Sequence, residues 1–239
     1  MKRCVEREWL DELPARDAGA MGSRSDLRRL NRWMGNARAM EKALRSLPCD
    51  SKPVRLVELG AGDGNFLLQV ARRLGDGWRG TQATLVDLQN LVTSDTFDGF
   101  SELGWDIKVS GIDVFAWCRE PVAEGVDLVM ANLFIHHFQS QDLQELLRLI
   151  KQRCSLLVAV EPRRSPLSLA FSKLVRLIGC NAVTRHDAPA SVRAGFFGNE
   201  LSNLWAGNGD WATEEQRAGL FSHLFVARKR EFVEAVRPS

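Results

Sequence analysis

The segment from residue 56 to residue 74, LVELGAGDGNFLLQVARRL, constrains the fold more than any other part of the chain. It opens with an apolar run that is typical of a buried strand, and from Asn65 onward its apolar residues recur at helical spacing. Three glycines, Gly60, Gly62 and Gly64, alternate in the turn between the two patterns. Glycine permits positive φ and lets a ligand approach the main chain closely, whereas a plain turn needs a single glycine. The segment therefore predicts a strand, a ligand-binding turn and a helix.

Strand-like and helix-like patterns alternate along most of the chain. Such alternation predicts βαβ units and a doubly wound α/β fold, with a mostly parallel sheet between two layers of helices. Right-handed crossovers place the carboxyl ends of parallel strands at one edge, where ligands of such sheets bind. The runs that predict strands are residues 54–59, 83–88, 107–115, 126–132, 155–161 and 219–230.

Two segments fall outside this alternation. Residues 1–50 are predicted to form an N-terminal helical cap or lid, in which apolar residues from Ser25 to Leu47 predict one long amphipathic helix. Residues 51–239 are predicted to form the core. Within the core, residues 162–215 interrupt the alternation, and because so long an interruption is usually functional, we expect it to cover the substrate.

The charge and cysteine content argue against several classes of protein. With 32 basic and 30 acidic residues the net charge is +2, and there is no basic stripe of the kind that binds nucleic acid. The charged start MKRCVEREWLDEL lacks the apolar region of a signal peptide, and no run reaches the ~20 apolar residues of a membrane span. The five cysteines are scattered without a CxxC pair or metal-ligand spacing, which predicts free thiols in a reducing cytoplasm. We therefore expect a cytoplasmic protein without a metal, a membrane or nucleic acid as partner.

Two kinds of cofactor commonly bind at a glycine turn after the first strand. A dinucleotide requires G-x-G-x-x-G, with its pyrophosphate at the helix N-terminus, but residues 60–64 follow the pattern G-x-G-x-G. Asp63 would also oppose a pyrophosphate, whereas it suits a ligand that carries positive charge. S-adenosylmethionine has an ammonium group, a sulfonium and no phosphate, and its carboxylate can accept hydrogen bonds from the N–H groups of the turn. The turn therefore favours S-adenosylmethionine over a dinucleotide.

Two further acidic residues follow the next strands. Asp87 ends the second strand, where a carboxylate can accept from both hydroxyls of an adenosine ribose. Enzymes that bind NAD use the same arrangement, so Asp87 alone leaves both cofactors open. Asp113 follows the third strand, where it can accept from an adenine amino group while Val114 and Phe115 pack on the ring. A solvated turn residue is the alternative interpretation of Asp113.

These motifs together resemble the class I S-adenosylmethionine-dependent methyltransferases of the small-molecule type. The resemblance is carried by Glu58-Leu-Gly-Ala-Gly-Asp-Gly64, by Asp87 and Asp113, and by ANLFIHHF at residues 131–138, in this order and at these spacings. It covers residues 50–161 closely and the last strand loosely. It implies a seven-stranded Rossmann-like sheet, mostly parallel with an antiparallel last strand, and S-adenosylmethionine as cofactor.

The resemblance also assigns roles to residues of this chain. It implies that the glycine turn and Glu58 line the methionine end, that Asp87 holds the ribose, that Asp113 and Val114 hold the adenine, and that the end of the fourth strand lies beside the methyl group. The residues so implicated in cofactor binding are Glu58, Gly60, Ala61, Gly62, Asp63, Gly64, Asp87, Leu88, Asp113, Val114, Asn132 and Leu133.

The candidate catalytic residues are histidines and carboxylates. A hydroxyl acceptor must lose a proton during methyl transfer, and histidine, with an unperturbed pKa of about 6.5, suits that task. His136 and His137 follow the fourth strand; at most one is expected to face the acceptor, and the alternative is a structural role. His186 and Asp187 form either a base and substrate clamp or a solvated loop, and Glu161 at the tip of the fifth strand is a further acid or base candidate.

The acceptor is the least constrained part of the prediction. Asn31, Trp33 and Asn36 of the cap are expected to approach the cofactor. Aromatic residues of the two extra segments can wall an apolar pocket, which favours O-methylation of a phenolic or polyketide-like metabolite of secondary metabolism; they are Trp33, Phe171, Phe196, Phe197, Trp205 and Trp211.

Several alternatives stay open beside O-methylation. C-methylation of an aromatic ring needs the same cofactor site and a similar base. A nucleic-acid or protein methyltransferase is disfavoured, because residues 132–135 are Asn-Leu-Phe-Ile where an Asn/Asp-Pro-Pro-aromatic turn is common in such enzymes. A dehydrogenase is disfavoured by the glycine turn, and a cofactor-binding protein without catalysis by the complete set of acidic anchors.

Overall fold

A single seven-stranded sheet organises the chain, whose computed structural model describes residues 1–47, 54–121, 125–205 and 209–230. The strand order is β3-β2-β1-β4-β5-β7-β6. The pairs from β3 through β5 are parallel, whereas β7 is antiparallel to both β5 and β6. The predicted sheet, mostly parallel with an antiparallel last strand, is confirmed. The strands are β1 (Arg55–Leu59), β2 (Gln82–Val86), β3 (Asp106–Ser110), β4 (Val126–Asn132), β5 (Cys154–Pro162), β6 (Trp211–Ala218) and β7 (Ser222–Lys229).

Helices cover both faces of the sheet and its carboxyl edge. Among the described residues, none of them combines the length and the apolar character needed to cross a bilayer. The helices are α1 (Trp9–Glu12), α2 (Ala18–Met34), α3 (Asn36–Arg45), α4 (Asn65–Leu74), α5 (Ser94–Glu102), α6 (Val114–Arg119), α7 (Ser140–Arg153), α8 (Pro166–Lys173), α9 (Ala182–Ala194) and α10 (Glu200–Trp205), with 3₁₀ turns at Asp76–Trp78, Ile135–His137 and Val175–Ile178.

The central strands are apolar on both faces because each face is covered by helices. Leu56 and Leu128 face the core shared with α3 and α4, whereas Val57 and Val129 face the core shared with α6 and α7. Alternate residues of one strand therefore belong to opposite cores. This double burial fixes the register of β1 and β4 and holds their carboxyl ends side by side.

The predicted strand over residues 107–115 ends earlier than expected. β3 stops at Ser110, and Asp113 begins helix α6 by accepting hydrogen bonds through Oδ1 from the N–H groups of Phe115 (2.8 Å) and Ala116 (3.2 Å). The sequence prediction of IDVF as strand is wrong, because a short apolar run fits a strand and a helix equally well. The N-cap decides between them.

The sequence analysis missed a strand that lies mostly inside the predicted insertion. β6 (Trp211–Ala218) pairs with β7 and forms the edge of the sheet, although it lies mostly within residues 162–215. Its residues, WATEEQRA, are largely exposed and lack apolar alternation, so no sequence pattern predicted this strand. Of the helices in the predicted insertion, α8 and α9 pack together beside α2 at the carboxyl edge of the sheet, whereas α10 packs against α7 and β6.

The predicted long N-terminal helix is two helices. Gly35, with φ of 73°, ends α2 in the left-handed conformation, and α3 starts at the next residue. Met40 and Leu44 of α3 are buried in the main core. This helix therefore belongs to the layer of helices that covers one face of the sheet and is not part of a lid. Of the described residues up to Leu47, those before Gly35 lie over the carboxyl edge of the strands in the manner expected for residues 1–50.

Candidate functional site

Each glycine in the turn between β1 and α4 suits its position for a different structural reason. All three have positive φ, of 67° at Gly60, 56° at Gly62 and 72° at Gly64. A Cβ at Gly60 would lie 2.2 Å from the Phe134 ring, and a Cβ at Gly64 would lie 2.9 Å from Leu85. A Cβ at Gly62 would meet nothing within 4 Å. Two glycines therefore allow close packing, and Gly62 leaves open space beside the main chain.

The N–H groups of this turn are already paired within the protein. Gly60 and Ala61 donate to the carbonyl of Val86 (2.9 and 3.2 Å), and Gly62 donates to Oδ2 of Asp87 (2.9 Å). The sequence-based expectation that these N–H groups hold a ligand carboxylate is therefore wrong for all three. The turn is instead tied to the end of β2.

A buried carboxylate lies directly below the turn. Glu58 is 2% exposed, and its Oε2 makes no hydrogen bond within the described part of the chain. Burial raises the pKa of Glu58 well above its usual range, and the nearby carboxylates of Asp63 and Asp87 raise that pKa further. Such a group is stabilised by a positively charged ligand atom.

The turn opens into a cavity of about 860 Å³ between the carboxyl edge of the sheet, α2 and α8. Among the predicted cofactor residues, Gly64 does not line this cavity, because it faces Leu85 instead. The others all line it: Glu58, Gly60, Ala61, Gly62, Asp63, Asp87, Leu88, Asp113, Val114, Asn132 and Leu133.

Helix α2 contacts the turn through arginines that the sequence analysis did not single out. Nη1 of Arg28 lies 2.7 Å from Oδ2 of Asp63, and Nη2 of Arg24 donates to Oε1 of Gln89 (2.8 Å), two residues beyond Asp87. Both arginines line the cavity. They lie on the polar side of the helix, whereas the sequence analysis considered its apolar stripe. Their position against the turn follows only from the fold.

Asparagines join the N-terminal helices to the end of β4. Nδ2 of Asn36 donates to Oδ1 of Asn132 and to Oδ1 of Asn31, each at 2.9 Å. Asn31 and Asn132 line the cavity, whereas Asn36 is fully buried and acts from behind them. Of the two asparagines predicted to approach the cofactor, Asn31 lines the cavity itself, whereas Asn36 contacts the cavity residue Asn132.

The chain leaves β4 in an unusual conformation. Leu133 has φ of 52°, and it is the one non-glycine residue with positive φ among those the structure describes. Strained backbone of this kind concentrates at functional sites. It redirects the chain into the 3₁₀ turn that carries His136 and His137.

His136 is held by Glu161, and both are buried. Nδ1 of His136 lies 2.7 Å from Oε2 of Glu161, while Oε1 of Glu161 accepts from the N–H groups of Phe134 and Ile135 at 3.1 Å each. Burial lowers the pKa of His136, but its contacts with Glu161 and Glu8 outweigh burial and raise that pKa to about 9. With a proton bound, His136 is not a free base near neutral pH.

His137 is more accessible and has a different partner. Its Nδ1 lies 2.9 Å from Oδ2 of Asp11, and the imidazole lines the cavity. The Nε2 atoms of His136 and His137 lie 3.5 and 3.9 Å from the two carboxylate oxygens of Glu8. The sequence analysis expected at most one of the two histidines to face an acceptor. The tight turn brings their ring centroids to 4.3 Å, and both residues line the same cavity.

Glu8 and Asp11 belong to the N-terminal segment, which the sequence analysis included in the predicted cap of residues 1–50 without singling out either residue. Arg3 fastens this segment: its Nη2 donates to the carbonyls of His136 and Phe138, each at 2.9 Å. Burial raises the pKa of Glu8, but the two histidines and the hydroxyl of Ser191 outweigh burial and lower that pKa to about 2. No sequence signal pointed to Glu8, since it lies far along the chain from the histidines that it faces.

His186 and Asp187 are not brought to the cavity. Asp187 accepts hydrogen bonds from the N–H groups of Trp9 (2.9 Å) and Leu10 (3.0 Å) and so begins α1, while His186 stacks on Trp9 with ring centroids 3.9 Å apart. Neither residue lines the cavity. The contacts give this pair a positioning function, because they hold the segment that carries Glu8 and Asp11.

The predicted aromatic wall forms only in part. Trp33 and Phe171 line the cavity, and Leu30, Leu174 and Leu177 join them. Phe196, Phe197, Trp205 and Trp211 do not line it; Phe196 and Trp205 are buried in the core. The apolar wall is therefore built from α2, α8 and the 3₁₀ turn that follows α8.

Comparison with known proteins supports this geometry at the level of fold. No protein-family model and no curated protein sequence matches the chain. Solved structures do match: an O-methyltransferase family protein from Burkholderia thailandensis has 14% identity and a TM-score of 0.56, over 90% of this chain and 64% of that one. Human N-acetylserotonin methyltransferase, solved in complex with S-adenosylmethionine, has 17% identity and a TM-score of 0.57, over 93% of this chain and 63% of that one.

A third structure matches over nearly its whole length. The methyltransferase domain of bacterial CtHen1-C has 15% identity and a TM-score of 0.55, over 82% of this chain and 97% of that one. The chain thus spans less than two thirds of the first two neighbouring chains but nearly all of the third. The resemblance to class I S-adenosylmethionine-dependent methyltransferases is confirmed: the chain has their fold.

Proposed function

We propose that the chain is an S-adenosylmethionine-dependent methyltransferase that acts on a small-molecule acceptor. The observation that carries the proposal is the buried Glu58, which lines the cavity together with Gly62 and whose Oε2 has no hydrogen-bond partner among the described residues. An unpaired buried carboxylate is costly, and the ammonium group of a methionine moiety would complete it. The neighbouring structures named above add support, since one of them was solved with this cofactor bound.

The cavity offers a partner for each polar part of S-adenosylmethionine. Glu58 would accept from the ammonium group, and Asp87 would accept from the ribose hydroxyls. Arg28 lines the cavity beside the turn and would pair with the methionine carboxylate, which is the role first expected of the turn's N–H groups. Asp113 caps α6 through Oδ1, and its Oδ2 would accept from the adenine amino group.

The acceptor would lie between the apolar wall and the histidines. S-adenosylmethionine supplies a methyl group on a sulfonium, which is already a good leaving group, so the protein must align the acceptor and accept its proton. The cluster of Glu8, His136 and His137 lies in the same cavity as the glycine turn and is our proposed site for that proton loss. Glu161 acts from behind by orienting His136.

The wall composition favours a largely apolar acceptor with one ionisable group. Trp33, Leu174 and Leu177 are 74%, 47% and 71% exposed, which leaves apolar surface available to a bound molecule. O-methylation of a phenolic or polyketide-like metabolite in secondary metabolism fits these features best. C-methylation of an activated aromatic ring is the second candidate, because the same carboxylates and imidazoles would deprotonate a ring hydroxyl. We expect neither nucleic acid nor a membrane as partner, and a cytoplasmic location.

Turnover with a panel of phenols tests the proposal. We expect wild-type protein to release S-adenosylhomocysteine and to add one methyl group to at least one phenol, as measured by mass spectrometry; nuclear magnetic resonance then distinguishes a methoxy group from a ring methyl. His137→Ala should lower kcat by about 10²-fold or more, the usual contribution of a positioned base. His223→Gln, which replaces an imidazole of β7 outside the cavity, is the control. Equal turnover by both variants would argue against proton loss at the cluster.

A further inference from the structure

Glu8, His136 and His137 form a cluster of the kind that binds metal ions. One donor atom from each of the three side chains lies within 4.8 Å of the donor atoms of the other two. The Nε2 atoms of both imidazoles face the carboxylate of Glu8, at 3.5 Å from Oε1 and 3.9 Å from Oε2. Ligands that surround a zinc-like ion tetrahedrally at ~2.1 Å lie about 3.4 Å from one another. The observed separations are therefore close to those of a ligand set.

The other nitrogen of each ring makes the contact that is typical of a metal-bound histidine. Nδ1 of His136 lies 2.7 Å from Glu161, and Nδ1 of His137 lies 2.9 Å from Asp11. Metal-ligating histidines almost always donate their second ring N–H to a carboxylate, a carbonyl or water, which fixes the tautomer with the lone pair on the metal side. Both rings are thus oriented with Nε2 towards the same point.

A separate observation shows that this point lacks a partner. His136 is 2% exposed, and its Nε2 makes no hydrogen bond in the described part of the chain, although it faces Glu8. Three carboxylates, those of Glu8, Asp11 and Glu161, surround the two rings. Among the contacts described, Arg3 is the arginine bound to this turn, and its guanidinium is engaged by the carbonyls of His136 and Phe138. The cluster therefore has an excess of negative charge when both rings are neutral.

We propose that Glu8, His136 and His137 bind one divalent first-row transition-metal ion. Two imidazoles and one carboxylate suit zinc, iron, cobalt or nickel better than magnesium or calcium, which prefer oxygen ligands alone. The ion takes the place of a proton on Nε2 of His136, since a ligating imidazole is neutral. Ser191, whose hydroxyl donates to Glu8, would hold the carboxylate in place.

The role of the ion rests on the proposed function. With three protein ligands, a coordination position stays open towards the cavity, where the hydroxyl oxygen of the acceptor would bind. The bound O–H group becomes more acidic and releases its proton to solvent. An oxygen lone pair then forms the bond to the methyl carbon while the bond from that carbon to sulfur breaks, which leaves the neutral thioether. The bound ion would thus promote the proton loss proposed above by acidifying the acceptor hydroxyl, in place of direct proton acceptance by His137.

Metal titration of the purified chain tests the site. After treatment with a chelator and its removal, we expect Co²⁺ to bind with a stoichiometry of one per chain and to give visible absorption bands that Zn²⁺ abolishes by displacement. Glu8→Gln and His137→Ala should each weaken Co²⁺ binding by more than about 100-fold. Asp11→Asn keeps all three ligands and should weaken binding by about 10- to 100-fold, as changes behind a ligand usually do. Glu12→Gln, which changes an exposed carboxylate of the same N-terminal segment outside the cluster, should bind Co²⁺ as the wild type does.

Two results would overturn the site: no stoichiometric uptake by the wild type, or equal uptake by wild type and His137→Ala, which would show an adventitious ion only. Thermal unfolding and calorimetric titration with S-adenosylmethionine on the same samples show that each variant is folded. These titrations also separate the two proposals. Metal uptake without binding of S-adenosylmethionine would leave the site standing and remove the proposed function, whereas the reverse result would remove only the site.

Discussion

Glu58 is an ionisable residue of the cavity in an unfavourable environment. Its carboxylate is buried, and burial together with Asp63 and Asp87 raises its pKa well above the usual range. Because the folded-state pKa exceeds the unfolded-state pKa, the contribution of Glu58 to stability is fully present below about pH 4.5 and is lost as pH rises through the folded-state value. The residue is therefore retained at a cost to the free protein.

The pH dependence of stability tests this environment. Glu58→Gln removes the ionisation, so the free energy of unfolding of the wild type should fall relative to that of the variant between pH 5 and pH 8, by about 1–3 kcal/mol. Thermal or urea unfolding at both pH values measures the difference. The variant should also bind S-adenosylmethionine about 10-fold more weakly or worse. A stability difference that does not change with pH would contradict the raised pKa.

The glycines of the turn separate packing from ligand binding. Gly60→Ala places a Cβ against the Phe134 ring and should lower the free energy of unfolding by about 2–4 kcal/mol, from positive φ and overpacking together. Gly62→Ala meets no atom of the protein, so it should cost only the ~1 kcal/mol of positive φ while obstructing the ligand.

A third glycine provides the control. Gly80 also has positive φ, of 83°, and open space at its Cβ, and it does not line the cavity. Gly80→Ala should match Gly62→Ala in stability and retain wild-type affinity for S-adenosylmethionine. Equal affinity of the Gly62→Ala and Gly80→Ala variants, measured by calorimetry, would show that the open side of Gly62 does not face the ligand.

The sequence predicted single residues well where one element carries the whole signal. The glycine turn and the carboxyl ends of β2 and β4 are local features, and their residues line the cavity. Glu8, Asp11 and Arg28 were missed because each acts on a partner from another part of the chain, and charged side chains on a solvated segment and on one that closes a site look alike in sequence.

Among the elements, α2 has the clearest link to the cofactor site. Arg28 lies 2.7 Å from Asp63 and lines the cavity, whereas the next residue, Arg29, pairs with Asp26 of its own helix. Arg28→Ala should weaken binding of S-adenosylmethionine by about 10-fold, the value of one charge-assisted hydrogen bond to a carboxylate. Arg29→Ala is the matched control and should bind as the wild type does. Calorimetry that gives equal affinities for the two variants would contradict the proposed contact.

The predictions of several element boundaries were wrong for identifiable physical reasons. Gly35 sits inside a continuous apolar stripe, and periodicity alone does not show that its backbone turns left-handed there. The short IDVF run fits two periods, and only the N-cap contacts of Asp113 select the helix. β6 lies at the edge of the sheet and most of its residues are exposed, so its sequence is polar. The strand is recognised by its pairing with β7 and not by its own composition.

At the scale of the whole molecule, the sheet order brings distant segments to one edge. β1 and β4 are neighbours although β2 and β3 lie between them in sequence. This places the glycine turn beside the 3₁₀ turn that carries His136 and His137. The N-terminal segment then closes the same edge from outside through Arg3 and Asp187. The alternation of strands and helices predicted the first relationship. The second was predicted only in outline, as a cap formed by residues 1–50, without the contacts of Arg3 and Asp187.

The central claim is that this edge binds S-adenosylmethionine through its acidic residues, and one calorimetric titration tests it most directly. We expect wild-type protein to bind one S-adenosylmethionine per chain with a dissociation constant in the micromolar range, Asp87→Ala to bind it at least about 10-fold more weakly, and NAD not to bind. Failure of the wild type to bind S-adenosylmethionine, or binding of NAD in its place, would contradict the account.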